Sequence, residues 1–463
     1  MLQNVEDEET PLQRRLDQLG KVLGWGALAV CAIVFLVGLL RSGFAAEAIV
    51  DSFMIAVSLA IAAVPEGLPA VVTISLALGM REMVRRHALI RRLASVETLG
   101  SATTICSDKT GTLTQNKMTV KELYLGNKFF DADDIKPDEK DLGVFLQVIA
   151  LCNDSKVVRV SGDKINTIGD PTETALVDFA AKKGFYKDEM DRYLPREAEI
   201  PFDSERKLMT TVISLNGRFR ILTKGAPDIL INRCEKALIG SEIVSMDAGI
   251  MENVREANKN MASRALRVLA VAFKDVDEIP ENLDPASVEK GLTFSGLVGM
   301  IDPPRIEVKD AVRTCKTAGI RPVMITGDHR DTAAAIAREL EIITSDDEVI
   351  TGAELDKISD EDFISDVNKY SVYARVSPEH KVRIVKAWKD NGKTVAMTGD
   401  GVNDAPALKI SDIGIGMGIT GTDVAKGVSD MVLADDNFAT IVLAVKEGRR
   451  IFSNIRKAIQ FLL

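Results

Sequence analysis

The sequence predicts an α/β protein: a parallel sheet of Rossmann-like type, interrupted by a separate α+β domain and anchored by two membrane-spanning helices. Three observations carry this. From about residue 299 to residue 440, apolar strand-like runs ending in polar residues alternate with amphipathic helical patterns, the signature of parallel strands joined by crossover helices. A strand of the same kind, Thr103 to Ser107, lies far upstream of the rest. Ahead of both stand two long apolar segments almost without charge.

At 463 residues the chain has room for about three domains. The net charge of −10 with no long basic run gives no footprint for nucleic acid and suits a solvated cytosolic face. Five cysteines (Cys31, Cys106, Cys152, Cys234 and Cys315) are scattered without CxxC or Cys/His spacing, so reduced structural thiols are expected rather than a metal site.

Taken in order, the acidic start (Glu6, Asp7, Glu8, Glu9) is unlike a signal peptide, and residues 1–20 read as a cytosolic stalk or linker. Residues 22–40 are uncharged between Lys21 and Arg41; at about 1.5 Å per residue they just span ~30 Å of hydrocarbon. Residues 52–80 form the second predicted span, with Glu66 as their one ionisable side chain. Arg81, Arg85, Arg86, Arg91 and Arg92 follow it, so its C-terminal end is expected on the cytosolic side, with a short external connection near residues 42–51. The protein is thus expected in a lipid bilayer, multi-pass, with its other domains in the cytosol.

Pro65-Glu66-Gly67-Leu68-Pro69 interrupts the second span. Proline removes an N–H and clashes with the preceding turn, which frees carbonyl oxygens at Ile61, Ala62, Ala63 and Val64. Freed carbonyls beside the Glu66 carboxylate suit a hard cation; the plainer alternative is a kink with Glu66 neutralised against another helix.

The strand from Thr103 delivers Asp108 to its carboxyl end, where open α/β sheets place ligands. In Asp108-Lys109-Thr110-Gly111-Thr112-Leu113-Thr114, the glycine and hydroxyl residues let backbone N–H groups curl around an anion and Lys109 adds positive charge. Asp108 itself has the chemistry for a covalent phosphoryl intermediate. Residues 81–123 are read as the first part of this catalytic domain, 124–298 as the inserted α+β domain, and 299–440 as the second part. The later strand ends carry Thr326-Gly327-Asp328, then Lys381 on a helix after Arg375, then Thr398-Gly399-Asp400-Gly401-Val402-Asn403-Asp404. Residues 441–463 carry five basic residues on a helical pattern ending in Phe461-Leu462-Leu463 and read as a stalk entering the membrane.

DKTGTLT resembles the phosphorylation motif of the P-type ATPases, and VPEGLPA followed by TISLALGMREM resembles the fourth membrane helix of their type II, calcium-transporting branch. GDPTETAL (residues 169–176), PFDSERK (201–207) and TKGAP (223–227) are similar to that family's nucleotide-binding domain. The resemblance implies that Phe202 stacks on adenine, Lys207 and Lys224 line the pocket, Glu173 bonds near the base, and Arg267 reaches the phosphates, with Arg375 also on the nucleotide. An aromatic face, cations and an acid make chemical sense for a purine nucleotide, although singly Phe202 fits a core and the lysines a solvated surface. Ser204 departs from animal calcium pumps, which have an arginine there.

The residues after 299 resemble the haloacid-dehalogenase-like core. That likeness implies Asp108 as nucleophile on ATP and Mg²⁺ on Asp108, the Thr110 carbonyl and Asp400. Lys381 and Thr326 would neutralise phosphate oxygens, Gly327 and Asp328 complete the threonine's motif, and Asn403 and Asp404 support the metal shell or phosphate. The transported cation, Ca²⁺ by the likeness of Pro65-Glu66-Gly67-Leu68-Pro69 to the calcium-transporting branch, would be held by Ile61, Ala62, Val64 and Glu66. Soft metals are disfavoured without a Cys-Pro-Cys motif, while Na⁺, K⁺ and H⁺ stay open. No Thr-Gly-Glu occurs in the chain, so it is expected to be an internal portion of a pump that lacks the actuator domain and most later membrane helices and needs those segments for transport. Two alternatives stand beside it: a soluble phosphatase of the same core, which usually carries an acid where Thr110 stands, and a non-transporting nucleotide-binding or regulatory protein on a shortened pump scaffold.

Overall fold

The structure is a computed structural model that describes residues 11–42, 46–62, 68–161, 164–279 and 283–462. It divides into two compact units, one of residues 1–113, 306–327 and 340–463 and the other of residues 114–305 with 328–339.

The first unit is built on an eight-stranded sheet. In spatial order its strands are Val349–Thr351, Val372–Ala374, Arg321–Ile325, Thr104–Asp108, Val395–Gly399, Ile413–Met417, Met431–Leu433 and Ala88–Ile90. All pairings are parallel except that of Ala88–Ile90 with Met431–Leu433. A parallel strand is covered on both faces, so its sequence is continuously apolar rather than alternating, and Thr104 to Ser107 are accordingly buried. After Arg321–Ile325 the chain passes to the edge strand Val349–Thr351, returns to Val372–Ala374 beside Arg321–Ile325, then crosses to Val395–Gly399 on the other side of Thr104–Asp108. That reversal of strand order opens a crevice at the carboxyl ends of the central strands. The core on one side of the sheet packs Trp388, Tyr373, Phe363, Ile384 and Leu408 against Cys106, Val323 and Met397.

The apolar segments belong to this unit. The first is a helix, Pro11–Ser42, longer than the 22–40 span expected. Its stretch Gly20–Arg41 is the one helix among the described residues long and apolar enough to cross a membrane: 22 residues, about 33 Å at 1.5 Å per residue. Trp25, Leu28, Ile33, Leu36 and Leu40 lie exposed on it. Within the second segment the described residues are helical over Ala46–Ala62 and Leu68–Arg85, so the connection expected over 42–51 is helical from Ala46. Pro65, Glu66 and Gly67 lie outside the described residues, as does Val64; Pro69 falls in the first turn of the second helix, where its missing N–H has no intrahelical partner to lose. The first two helices approach closely where Gly38 faces Ser52, whose Oγ lies 2.6 Å from the position a Cβ would take.

The terminal helix, Phe438–Leu462, buries Ile441, Ala444, Val445, Ile451 and Ile455 on one face and exposes Arg449, Arg450, Arg456 and Lys457 on the other, the 3.6-residue period of an amphipathic helix. Its Gly448 meets Gly100 of the helix Leu93–Gly100, which leads directly into the strand of Asp108; a Cβ on Gly448 would stand 2.8 Å from the Gly100 amide.

The second unit holds a nine-stranded, mainly antiparallel sheet and the hairpin Lys156–Ser161 with Lys164–Ile168. The strand Thr119–Leu125 pairs antiparallel with Leu292–Ile301 in this sheet. The chain therefore changes unit after Leu113 and again before Ile306, not near residues 123 and 299, because strand pairing extends further along both connections than their composition signals. Leu142–Leu151 and Pro171–Lys182 cover the sheet through Phe145, Leu146, Ile149, Leu176 and Phe179.

Candidate functional site

Asp108 is the last residue of its strand, in register with Ile325 of one parallel neighbour. On the other side Met397 pairs with Cys106, which brings Thr398 level with the strand's end. The Thr398 hydroxyl accepts a 2.9 Å hydrogen bond from the Asp108 amide, so the backbone that carries the carboxylate is fixed from the neighbouring strand. After Asp108 the chain turns sharply. Thr110 is extended (φ −72°, ψ 129°) and Gly111 takes φ 75°, a left-handed conformation that glycine adopts at little cost. Thr110 is exposed and its amide donates to Asp108 Oδ1 at 3.4 Å; Lys109 is buried.

The carboxylates of Asp108, Asp400 and Asp404 lie within 4.8 Å of one another. Such crowding of like charge is tolerable only with cations present. Lys381, on the helix Pro378–Asp390, supplies one: its Nζ donates to Asp108 Oδ2 at 2.5 Å and to Asp404 Oδ1 at 2.7 Å. Asp404 also accepts from the amides of Asp400 (3.2 Å) and Gly401 (3.0 Å), and its side chain lies so close to the strand end that a Cβ on Gly399 would stand 2.4 Å from the Asp404 Cβ. Burial pulls the Lys381 ammonium down, but the charges of Asp108 and Asp404 outweigh it and hold its pKa above the ordinary lysine value. Burial, then the charges of Asp108 and Asp404, push Asp400 up against the opposing pull of Lys381.

Three hard carboxylate oxygens clustered at the carboxyl ends of central strands fit Mg²⁺. Thr326 is buried; its amide donates to the Tyr373 carbonyl (2.9 Å) and its carbonyl accepts from Val376 (3.2 Å), so it holds the end of the adjacent strand. Asn403 and Arg375 are exposed, and Arg375 has φ 51°. Gly327 belongs to the first unit and Asp328 to the second. His380 is held on both ring nitrogens: Nδ1 accepts from the Ser377 amide at 3.0 Å and Nε2 lies 2.7 Å from Asp356. Thr398 and Gly399 escaped the sequence reading as working parts, although both stand inside the motif that supplied Asp400. A further clamp also escaped it. Asp436, buried, accepts from the amides of Gly418, Ile419 and Thr420 and so fixes the loop whose Thr422 amide donates to the Asp400 carbonyl.

Within the second unit, Glu173 and Lys224 pair at 2.5 Å. Lys224 is buried at the end of the strand Arg218–Gly225, and Glu173 Oε2 also accepts from the Asp154 amide at 3.0 Å. Arg267 donates to the Thr172 hydroxyl at 2.7 Å, beside Glu173 in sequence. Phe202 is 63% exposed, which removes the alternative of a core side chain. Lys207 is exposed at φ 54°, and its carbonyl accepts from the Ala226 amide at 3.1 Å, docking its turn on the strand that bears Lys224. Of the residues expected on the transported cation, Ile61 and Ala62 end the helix Ala46–Ala62, both exposed; Val64 and Glu66 lie outside the described residues.

Residues 141–307 match the family model for the P-type ATPase cytoplasmic domain N. The whole chain aligns with calcium-transporting ATPase 1 of Bacillus cereus at 49% identity, covering 51% of that protein. It aligns equally fully with calcium-transporting ATPase 1 of Lactococcus lactis at 46%, covering 52%, and with the calcium-transporting ATPase of Bacillus subtilis at 45%, covering 53%. The chain thus spans about half the length of these relatives.

Proposed function

Since the chain belongs with the P-type ATPases, we propose that it is the phosphorylated and nucleotide-binding part of an ATP-driven cation pump, with Ca²⁺ as the cargo. The observation that supports this best is Asp108 held at a sheet switch point with Lys381 bonded to it and to Asp404.

In this reading the first unit is a haloacid-dehalogenase-like phosphorylation domain. An Asp108 carboxylate oxygen attacks the γ-phosphorus of ATP; the new Oδ–P bond forms as the bond to the ADP oxygen breaks, and ADP leaves. Water later cleaves the acyl phosphate and restores the carboxylate with release of inorganic phosphate. Lys381 and Thr326 offer positive charge and a hydroxyl where phosphate oxygens gather charge, and Asp404, held by two amides, keeps Lys381 aimed. Phosphoryl transfer asks for little beyond such alignment and charge. Asp108 and Asp400, with the Thr110 carbonyl, would hold Mg²⁺, which neutralises phosphate charge when bound; Asn403 and Asp404 support that shell. Lys109 adds positive charge at the turn, and Gly327 completes the phosphate end.

The second unit binds the adenine nucleotide through Phe202, Lys207, Lys224, Glu173 and Arg267. Labelling with ATP and Mg²⁺ tests the reading. The label should be acid-stable, hydroxylamine-sensitive and mapped to a peptide containing Asp108; label on serine or histidine would overturn it. Phe202→Ala should weaken ATP binding by about 1–3 kcal/mol, the range for a base stacked on an aromatic ring; calorimetry showing unchanged affinity would remove the ring from the pocket.

The helices would anchor the protein in a bilayer as a multi-pass chain, with Glu66 and the carbonyls of Ile61, Ala62 and Val64 supplying part of the ion site. Ca²⁺ takes six to eight oxygens and its affinity follows ligand charge. In the complete pump Glu66→Gln should therefore raise the Ca²⁺ concentration for half-maximal phosphorylation by about tenfold or more, and an unchanged Ca²⁺ dependence would place the cargo elsewhere.

A further inference from the structure

Glu289, the residue after the short helix Pro285–Val288, is wholly buried, an expensive place for a carboxylate unless its partners compensate. Two partners do. Its Oε1 is bonded by the Arg206 guanidinium and accepts from the Thr210 hydroxyl at 2.7 Å. Both lead to residues that flank the nucleotide side chains proposed above.

One arm runs through Arg206. This residue sits in a tight turn in which Asp203 Oδ1 accepts from the amides of Glu205 (2.9 Å) and Arg206 (2.8 Å), and the Asp203 carbonyl accepts from Lys207 (2.6 Å). Arg206 Nη2 also donates to the Pro201 carbonyl at 2.6 Å. A guanidinium anchored on Glu289 therefore ties down the peptide before Phe202 while its own backbone precedes Lys207. Lys207 has a left-handed backbone, which is unfavourable for a non-glycine residue and persists where its surroundings over-determine it. The other arm runs through Thr210, whose hydroxyl lies 3.0 Å from that of Thr223, its direct partner across the ladder. Thr223 precedes Lys224. The arms converge where the turn docks: a Cβ on Gly225 would stand 2.2 Å from the Lys207 carbonyl oxygen.

We propose that Glu289 is a positioning residue for the adenine-nucleotide pocket, acting through Arg206 on Phe202 and Lys207 and through Thr210 and Thr223 on Lys224. The proposal rests on the nucleotide reading of this unit. An exposed ring and an exposed lysine lose conformational freedom when they bind, and a buried anchor that holds their backbone in place reduces that loss. A wholly apolar core would support the strands equally well, so the retained charge serves the placement of the turn.

The test is the affinity of the full 463-residue chain for ATP without Mg²⁺, by calorimetry, together with its melting temperature. Glu289→Gln keeps the shape and one acceptor; Arg206→Lys keeps the charge but loses the fork that reaches both Glu289 and Pro201. Each should weaken ATP about tenfold, equivalent to 1.4 kcal/mol, and the loss caused by Phe202→Ala should shrink in the Glu289→Gln background, because coupled residues are not additive. Full additivity, or affinities unchanged in both Glu289→Gln and Arg206→Lys while Phe202→Ala weakens binding, would overturn the positioning role and leave the pocket standing. Phe202→Ala without effect would remove the pocket and the positioning role together.

Discussion

Asp108→Asn should abolish formation of the acid-stable, hydroxylamine-sensitive phosphoenzyme, lowering the rate by at least about 10³-fold, since an amide cannot replace the attacking carboxylate and loss of a nucleophile is among the largest single effects in enzymes. The variant should nevertheless fold. Asparagine is isosteric, the Thr398 hydroxyl bonds the backbone amide of residue 108 rather than its side chain, and Lys381 retains Asp404 at 2.7 Å. Removing one of three crowded carboxylates also relieves Asp400, whose raised pKa stems from burial first and then from the charge of Asp108. The sign follows from linkage. A carboxyl group whose folded pKa is raised binds more protons folded than unfolded, so its contribution to stability falls as pH rises from the ordinary Asp value through the raised one. In Asp108→Asn that fall should be smaller, and melting temperatures at pH 4 to 7 should decline less than in the parent chain. Phosphoenzyme surviving in the variant would place the nucleophile elsewhere; loss of label with loss of the folded transition would leave the nucleophile unassigned.

The strand carrying Asp108 was legible because a parallel strand buried on both faces is a short apolar run, and a polar residue ending it stands out. The same holds for Arg321–Ile325 and Val395–Gly399, and with three strand ends known, the meeting of Asp108, Thr326 and Asp400 follows from topology. Lys381 was legible only through resemblance. A lysine on an amphipathic helix reads as solvated surface until the fold turns that helix onto the carboxyl ends of the strands. Glu289 was not legible at all, because a glutamate in a polar stretch carries no sign of being buried, and its partners lie about 80 residues earlier in the chain. The helix over Ala46–Val50 was not legible for a different reason: Glu47 and Asp51 interrupt the apolar run there, although an acid in a first turn favours a helix start.

Lys381→Met carries the second large effect. The ammonium is the cation that bonds both Asp108 and Asp404, in a site where Lys381 is mostly buried. Without it the phosphoryl oxygens lose a preorganised positive charge, so phosphoenzyme formation should fall by about 10²–10³-fold. Breaking a buried pair by removing one partner also costs about 3 kcal/mol of stability, but here that cost should depend on pH and on metal in a way that a lost packing contact does not. Lys381 is the group that pulls Asp400 down; its removal raises that carboxyl further and widens upward the pH interval over which stability is lost. The variant should therefore lie closer to the parent toward the acid end of that interval, where protonation of the carboxyl relieves the crowding, and fall away toward neutrality. Millimolar Mg²⁺ should restore much of the difference, since a divalent cation can replace the missing charge among three carboxylates that lie within 4.8 Å. Thermal melts at pH 5 and 7.5, with and without Mg²⁺, separate the cases. A loss equal at both pH values and untouched by Mg²⁺ would mean that Lys381 holds the helix Pro378–Asp390 by packing alone, and its assignment as the charge that faces the transferred phosphoryl group would fail.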